Sequence, residues 1–169
     1  FDQGAWVCSG GCYRDDQAQR ELIDKKLIIR LKNCNAIFLK QVVDESDGIL
    51  SIAENSREIP FNIKRTYHLY GFINPQAIRG LHAHKNLEQA IFCVNGSFRL
   101  KVDDGRNKQS FILDDPNQGI YIGPKLWHTL EHFSKDCIVL VLSSDYFDES
   151  DYIRDYDEFK RYITNANMI

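Results

Sequence analysis

The sequence predicts a mainly β protein, a jelly-roll barrel or sandwich. Three observations carry this: short segments rich in β-branched and aromatic residues, turn signals between them, and no strand-helix alternation of the kind that builds a parallel sheet. About nine strands are expected in all.

The first 14 residues, with Gly4, Gly10 and Gly11, have no periodicity and read as a lead-in. Asp15 and Asp16 can cap a helix, and Leu22, Ile23, Leu27 and Ile28 recur at helical spacing, which predicts a packing helix over about 16–31. Residues 1–35 therefore form an extension or linker, and 36–169 the domain. Strands are expected over 36–43, 49–53, 63–70 and 88–94. A hairpin turn at Asn95-Gly96 then leads into Phe98, Leu100 and Val102, which alternate with Ser97, Arg99 and Lys101. Further strands fall at 109–113, 119–122, 126–132 and 138–143, punctuated by Asp103-Asp104-Gly105, Asp115-Pro116-Asn117 and Gly123-Pro124. After Asp148 and Ser150, the recurrence of Tyr152, Ile153, Tyr156, Phe159 and Ile163 every three or four residues predicts a C-terminal helix.

At 169 residues the chain suits one domain with a substantial core. A net charge of -3 with both signs interspersed argues against nucleic acid as a partner, and no run of about 18 apolar residues argues for a membrane span. The N-terminus lacks a basic-then-apolar signal pattern, so a cytoplasmic protein is expected. Of the five cysteines, Cys93 and Cys137 sit in apolar runs and read as reduced core thiols, while Cys8 and Cys12 lack a second ligand pair at zinc spacing.

Chemistry concentrates in Arg79-Gly80-Leu81-His82-Ala83-His84-Lys85. In an extended strand His82 and His84 share a face, and two imidazoles are costly to bury unless something satisfies their ring nitrogens. Arg79, an odd number of positions from both, faces away unless the chain bends at Gly80. On the strand 63–70, Arg65 and Tyr67 share a face and can serve one cavity, the arginine as a planar fork and the tyrosine as a proton donor; a surface arginine beside a packed tyrosine is the alternative. Arg99 and Lys101 either neutralise a diphosphate or form a solvated strand face. Trp127 either stacks on a ligand or packs.

His82, His84 and Glu88, followed by a distant Gly-Pro before His128, resemble the metal-ligand motifs of the cupin superfamily, whose fold is a jelly roll. The spacing departs from that pattern: seven residues separate Glu88 from Gly96 where six are usual, and Gln76 stands where a glycine is expected. A longer match reaches further. Pro60-Phe61-Asn62-Ile63-Lys64-Arg65-Thr66-Tyr67, the histidine run with Glu88-Gln89, Asn95-Gly96-Ser97, Trp127-His128 and Ser144-Asp145-Tyr146-Phe147-Asp148-Glu149-Ser150-Asp151-Tyr152-Ile153-Arg154-Asp155-Tyr156 closely resemble the dTDP-sugar 3,4-ketoisomerases, over about residues 36–163.

The resemblance implies a cupin-type jelly-roll (double-stranded β-helix) barrel and dimers that exchange N-terminal strands. It implies conversion of dTDP-4-keto-6-deoxyglucose to a 3-keto isomer through an enediol(ate) without metal or cofactor, in deoxy-amino-sugar biosynthesis of the kind that serves lipopolysaccharide O-antigen. On that reading His82, His84, Tyr67 and Arg65 are catalytic, and Arg79, Lys85, Gln89, Arg99, Lys101, Trp127 and His128 bind substrate. Two alternatives stay open: a metal-dependent cupin using His82, His84, Glu88 and His128, and a non-catalytic nucleotide-sugar-binding domain. One departure is visible, since the family's Asp-x-Arg-Gly near the first hairpin is replaced by Asp44-Glu45-Ser46-Asp47-Gly48-Ile49, without arginine. The first 35 residues lie outside the match, so a fused N-terminal module is a further expectation.

Overall fold

The structure, a computed structural model, describes residues 28–166. Strands β1 (Cys34–Phe38), β2 (Lys40–Asp44), β3 (Gly48–Ile52), β4 (Arg65–Leu69), β5 (Arg79–His84) and β6 (Gln89–Asn95) are followed by β7 (Phe98–Asp103), β8 (Lys108–Leu113), β9 (Gln118–Ile122), β10 (Trp127–Glu131) and β11 (Ile138–Ser143). A 3-10 turn at Glu149–Asp151, the short strand β12 (Tyr152–Ile153) and one helix, α1 (Tyr156–Ala166), complete the order. One antiparallel sheet runs β1-β9-β6-β11-β4 and the other β12-β5-β10-β7-β8, while β2 and β3 pair only with each other. This is the mainly β, cupin-type jelly roll with a short C-terminal helix.

Period-two alternation explains the core. Phe98, Leu100 and Val102 of β7 point between the sheets and meet Ile91 and Cys93 of β6, Ile120 and Ile122 of β9, and Val139 and Val141 of β11. Strand β6 is apolar on both faces because its other side, Ala90 and Phe92, lies under Ile37, Ile59 and Phe61 in a second cluster. Gly119 permits that layer: a Cβ there would lie 2.4 Å from the Phe92 ring. A third cluster, Ala83, Ile153 and Phe159 with Trp127 packed against it, seats α1 on the outside of the second sheet.

The differences from expectation are local. The predicted strand over 36–43 breaks at Leu39, whose N–H bonds Asn117 O, so its second half leaves the sheet as the β2–β3 hairpin. Tyr152 and Ile153 are strand rather than helix, because their backbone pairs with His84 and Ala83; tertiary pairing overrides a helical periodicity that only Tyr156 onward obeys. The helix expected over 16–31 lies outside the described residues except at 28–31, which are not helical, and Cys8 and Cys12 also lie outside.

Candidate active site

Strand β5 carries the two histidines and is deformed around them. His82 pairs with His128 and Gly80 with Thr129, so Leu81 is an extra residue that opens a bulge. Gly80 has φ +81°, and a Cβ there would lie 2.7 Å from His128 O, so the bulge requires glycine. The bulge also reverses parity: Arg79 pairs with Leu130 and comes to the same face as His82, at the exposed end of the strand. The bend at Gly80 thus removes the expected outward orientation of Arg79.

Between the sheets, the His82 and His84 rings stand 4.9 Å apart and His82 is 4.5 Å from His128, with Tyr152 at 4.8 Å from His82 and 4.3 Å from His84. His82 Nδ1 lies 3.0 Å from Gly80 O and His84 Nδ1 lies 3.0 Å from Asp151 Oδ2. A carbonyl or carboxylate oxygen only accepts, so both rings carry their proton on Nδ1 and keep the lone pair on Nε2. Burial holds all three histidines neutral. His82 is lowered below the ordinary 6.5, His84 is pushed to about 4 by burial and by His82 against the pull of Asp151, and His128 lies well below 6.5.

Asp151 organises this end of the site. Its Oδ1 accepts from the N–H and Nδ2 of Asn86 at 2.8 and 3.1 Å, and its Oδ2 accepts from Leu87 N–H at 3.2 Å as well as from His84. It sits there because Asp148 caps the 3-10 turn and Lys85 Nζ donates to Ser150 O, which pins the turn against β5.

From the facing sheet, Tyr67 Oη accepts from Gln89 Nε2 at 2.9 Å, and the Arg65 guanidinium lies 5.3 Å from the Tyr67 ring centre. Burial raises Tyr67 to about 12, so it is a proton donor at neutral pH. Arg65, His84, Asp151 and Tyr152 line a cleft of about 160 Å³. Among the described residues Arg65 Nε, His84 Nε2 and Gln89 Oε1 are buried without a hydrogen-bond partner, a cost that a bound polar ligand would offset.

The structure therefore gathers His82, His84, His128, Tyr67, Arg65 and Gln89, with Arg79 and Lys85 at the edge. It does not gather Arg99, Lys101 and Trp127. Arg99 and Lys101 point to the outer face of β7, where Lys101 pairs with Glu131 at 2.7 Å, and Trp127 packs against Tyr156 and Phe159 of α1. Glu88 is turned away too: Tyr121 Oη donates to its Oε1 at 2.6 Å, which removes the carboxylate from the His82, His84 and His128 metal set. Among the described residues no group of three His, Cys, Asp or Glu side chains is arranged to hold a metal ion. Asp151 and Tyr152 escaped sequence reasoning as site residues, because their spacing suggests a helix and their partners lie some 70 residues earlier.

Comparison with known proteins places the chain in a family. Residues 32–164 match the family described as FdtA: WxcM-like, C-terminal. The chain is 47% identical over 132 residues to the TDP-4-oxo-6-deoxy-alpha-D-glucose-3,4-oxoisomerase of Aneurinibacillus thermoaerophilus, covering 78% of this chain and 94% of that protein. Among solved structures, a mutant of the 3,4-ketoisomerase QdtA from Thermoanaerobacterium thermosaccharolyticum, in complex with TDP-4-keto-6-deoxyglucose, superposes with a TM-score of 0.76 at 36% identity, over 80% of this chain and 96% of that one. The TDP-quinovose 3,4-ketoisomerase WlaRB of Campylobacter jejuni gives a TM-score of 0.73 at 42% identity, over 78% and 99%. The chain belongs to the FdtA family of sugar 3,4-ketoisomerases and is an isomerase.

Proposed function

We propose that the chain converts dTDP-4-keto-6-deoxyglucose to its 3-keto isomer by metal-independent proton transfer between imidazoles. The observation that carries the reading is the pair His82 and His84, each with Nδ1 committed to an acceptor and a neutral Nε2 left for chemistry. The relatives that act on TDP-4-keto-6-deoxyglucose supply the substrate class.

The proton on carbon 3 is acidified by the carbonyl at carbon 4. One histidine takes it through Nε2, and the electron pair moves into the carbon 3–carbon 4 bond as the carbon 4 oxygen gains negative charge. Tyr67, neutral with its hydroxyl proton in place, and Arg65 hold that oxygen where charge develops. The other imidazole, neutral at rest, takes a proton on Nε2 from solvent as the first releases its own, and delivers it to carbon 4. The carbon 3 hydroxyl gives its proton to the carbon 4 oxygen, so that carbon 3 ends as the carbonyl and carbon 4 as the hydroxyl. Asp151 holds His84 in the tautomer this requires and stabilises it when it becomes positive.

Incubation with dTDP-4-keto-6-deoxyglucose, following the 3-keto product by NMR, tests the reading. His82→Asn and His84→Asn each lose about 10²–10⁴-fold in kcat. Normal turnover by both variants would falsify it, and loss of activity on chelation would restore the metal-dependent alternative.

The proposed setting is a cytoplasmic homodimer exchanging N-terminal strands, in deoxy-amino-sugar biosynthesis. The β2–β3 hairpin supports the dimer, since it stands off both sheets with Ile49 64% and Leu50 59% exposed. Cys34, Cys93 and Cys137 are free, in keeping with a reducing compartment, and no described helix is long and apolar enough to cross a membrane. The family's description as a C-terminal unit supports an attached N-terminal module.

A further inference from the structure

Lined in part by the β9–β10 turn is a cleft of about 210 Å³ that shares no lining residue with the chamber. Four cations from three separate stretches surround it: Arg30 and Lys32 before β1, Arg106 in the β7–β8 turn and Lys125 in the β9–β10 turn. Among the described residues none of the four is ion-paired. Asp104 is the one carboxylate lining the cleft, and its Oδ1 already accepts from the backbone N–H groups of Arg106 and Asn107 at 2.9 and 2.7 Å. The lining thus carries a net +3 in a chain whose formal charge is -3.

Cations gathered around a concavity without carboxylate partners repel one another and focus a positive field, an arrangement that an anion relieves. The turns that hold them are pinned rather than loose. Gly123 N–H donates to Asn33 O at 2.8 Å, Asn33 Nδ2 donates to Pro124 O at 3.3 Å, and Lys125 N–H donates to His84 O at 2.7 Å. A single phosphate monoester brings about -1.5 to -2 charges, which leaves the lining under-neutralised, whereas a diphosphate matches it.

We propose that this cleft is a second anion site, separate from the histidine chamber, that takes a pyrophosphate group. Its recognition is by charge and by the guanidinium fork of Arg106.

Titration of the full chain with inorganic pyrophosphate at constant ionic strength, by calorimetry, tests it. Saturable binding is expected. Arg106→Ser, in an exposed turn, and Lys125→Asn, which suits the φ of +65° there, should each weaken it by about tenfold, while Lys135→Ser, remote from the cleft, leaves it unchanged. Isomerisation of dTDP-4-keto-6-deoxyglucose by Arg106→Ser and Lys125→Asn should match the unmodified chain. Non-saturable heats, or equal weakening by Lys135→Ser, would show diffuse attraction and overturn the proposal. A parallel loss of kcat/KM in the two cleft variants would make the cleft part of the substrate site and overturn its separateness. Because the titration needs no turnover, it stands or falls independently of the isomerase reading.

Discussion

Replacing Asp151 by asparagine separates the role of the carboxylate from its shape. Oδ1 accepts from both nitrogens of Asn86, so the substituted side chain keeps its carbonyl there and turns its amide nitrogen toward His84 Nδ1 and Leu87 N–H. Donor then faces donor. His84 relieves the clash by moving its proton to Nε2, which blocks the lone pair the reaction uses. A hydrogen bond to a charged group contributes roughly 1.5–3 kcal/mol, or about 10–150-fold in rate where it stabilises an imidazolium in the transition state. Misplacing the base proton approaches the full general-base contribution of about 10²–10⁴-fold. A fall in kcat of at least about 10² is therefore expected, with TDP affinity little changed. Product NMR gives kcat, TDP calorimetry gives binding, and Asp151→Glu should recover part of the rate. A kcat within about threefold of the unmodified chain, in a folded Asp151→Asn protein, would refute the positioning role.

The neutral histidines make stability depend on pH. The His84 imidazole is held at about 4 when folded but returns to about 6.5 when unfolded, so as pH falls through this window the unfolded chain binds the proton first and stability declines. The loss is about 2 kcal/mol by pH 5 and about 3 kcal/mol below pH 4. Urea unfolding of the unmodified chain against His84→Asn isolates this part, and a difference that stays flat from pH 7 to pH 5 contradicts the burial assignment. Tyr67→Phe removes a donor aimed at the developing oxyanion and should lower kcat by about 10²-fold with little effect on KM; unchanged kcat would remove Tyr67 from the mechanism. Gly80→Ala forces a Cβ to 2.7 Å from His128 O, whereas Gly71→Ala meets nothing within 4 Å at a comparable φ of +74°. Gly80→Ala should lose about 1–3 kcal/mol more than Gly71→Ala in urea unfolding, together with kcat, and equal losses would show that the bulge does not set the histidine geometry.

Much of the fold is legible because burial writes a period-two pattern. Phe98, Leu100 and Val102 against Arg99 and Lys101 identify β7 and its inner face, and the same rule places His82 with His84 and Arg65 with Tyr67. The pattern cannot say which face of a strand meets the site: Arg99 and Lys101 share a face, but it is the outer one beside Glu131. Parity also fails where pairing with a distant strand inserts a residue, as at Leu81, so the orientation of Arg79 required knowledge of β10. Asp151 and Tyr152 stayed hidden for the same reason. Nothing local distinguishes them from a helix start, and their partner is the end of β5.

Isomerisation of dTDP-4-keto-6-deoxyglucose in deuterium oxide tests the central claim most directly. Transfer between two imidazoles predicts a 3-keto product carrying solvent deuterium at carbon 4, because the proton delivered there is not the one removed from carbon 3. A product whose carbon 4 retains the substrate's carbon 3 hydrogen throughout, with no solvent deuterium, would mark a hydride shift or the return of that same proton by one base, and contradict transfer between His82 and His84.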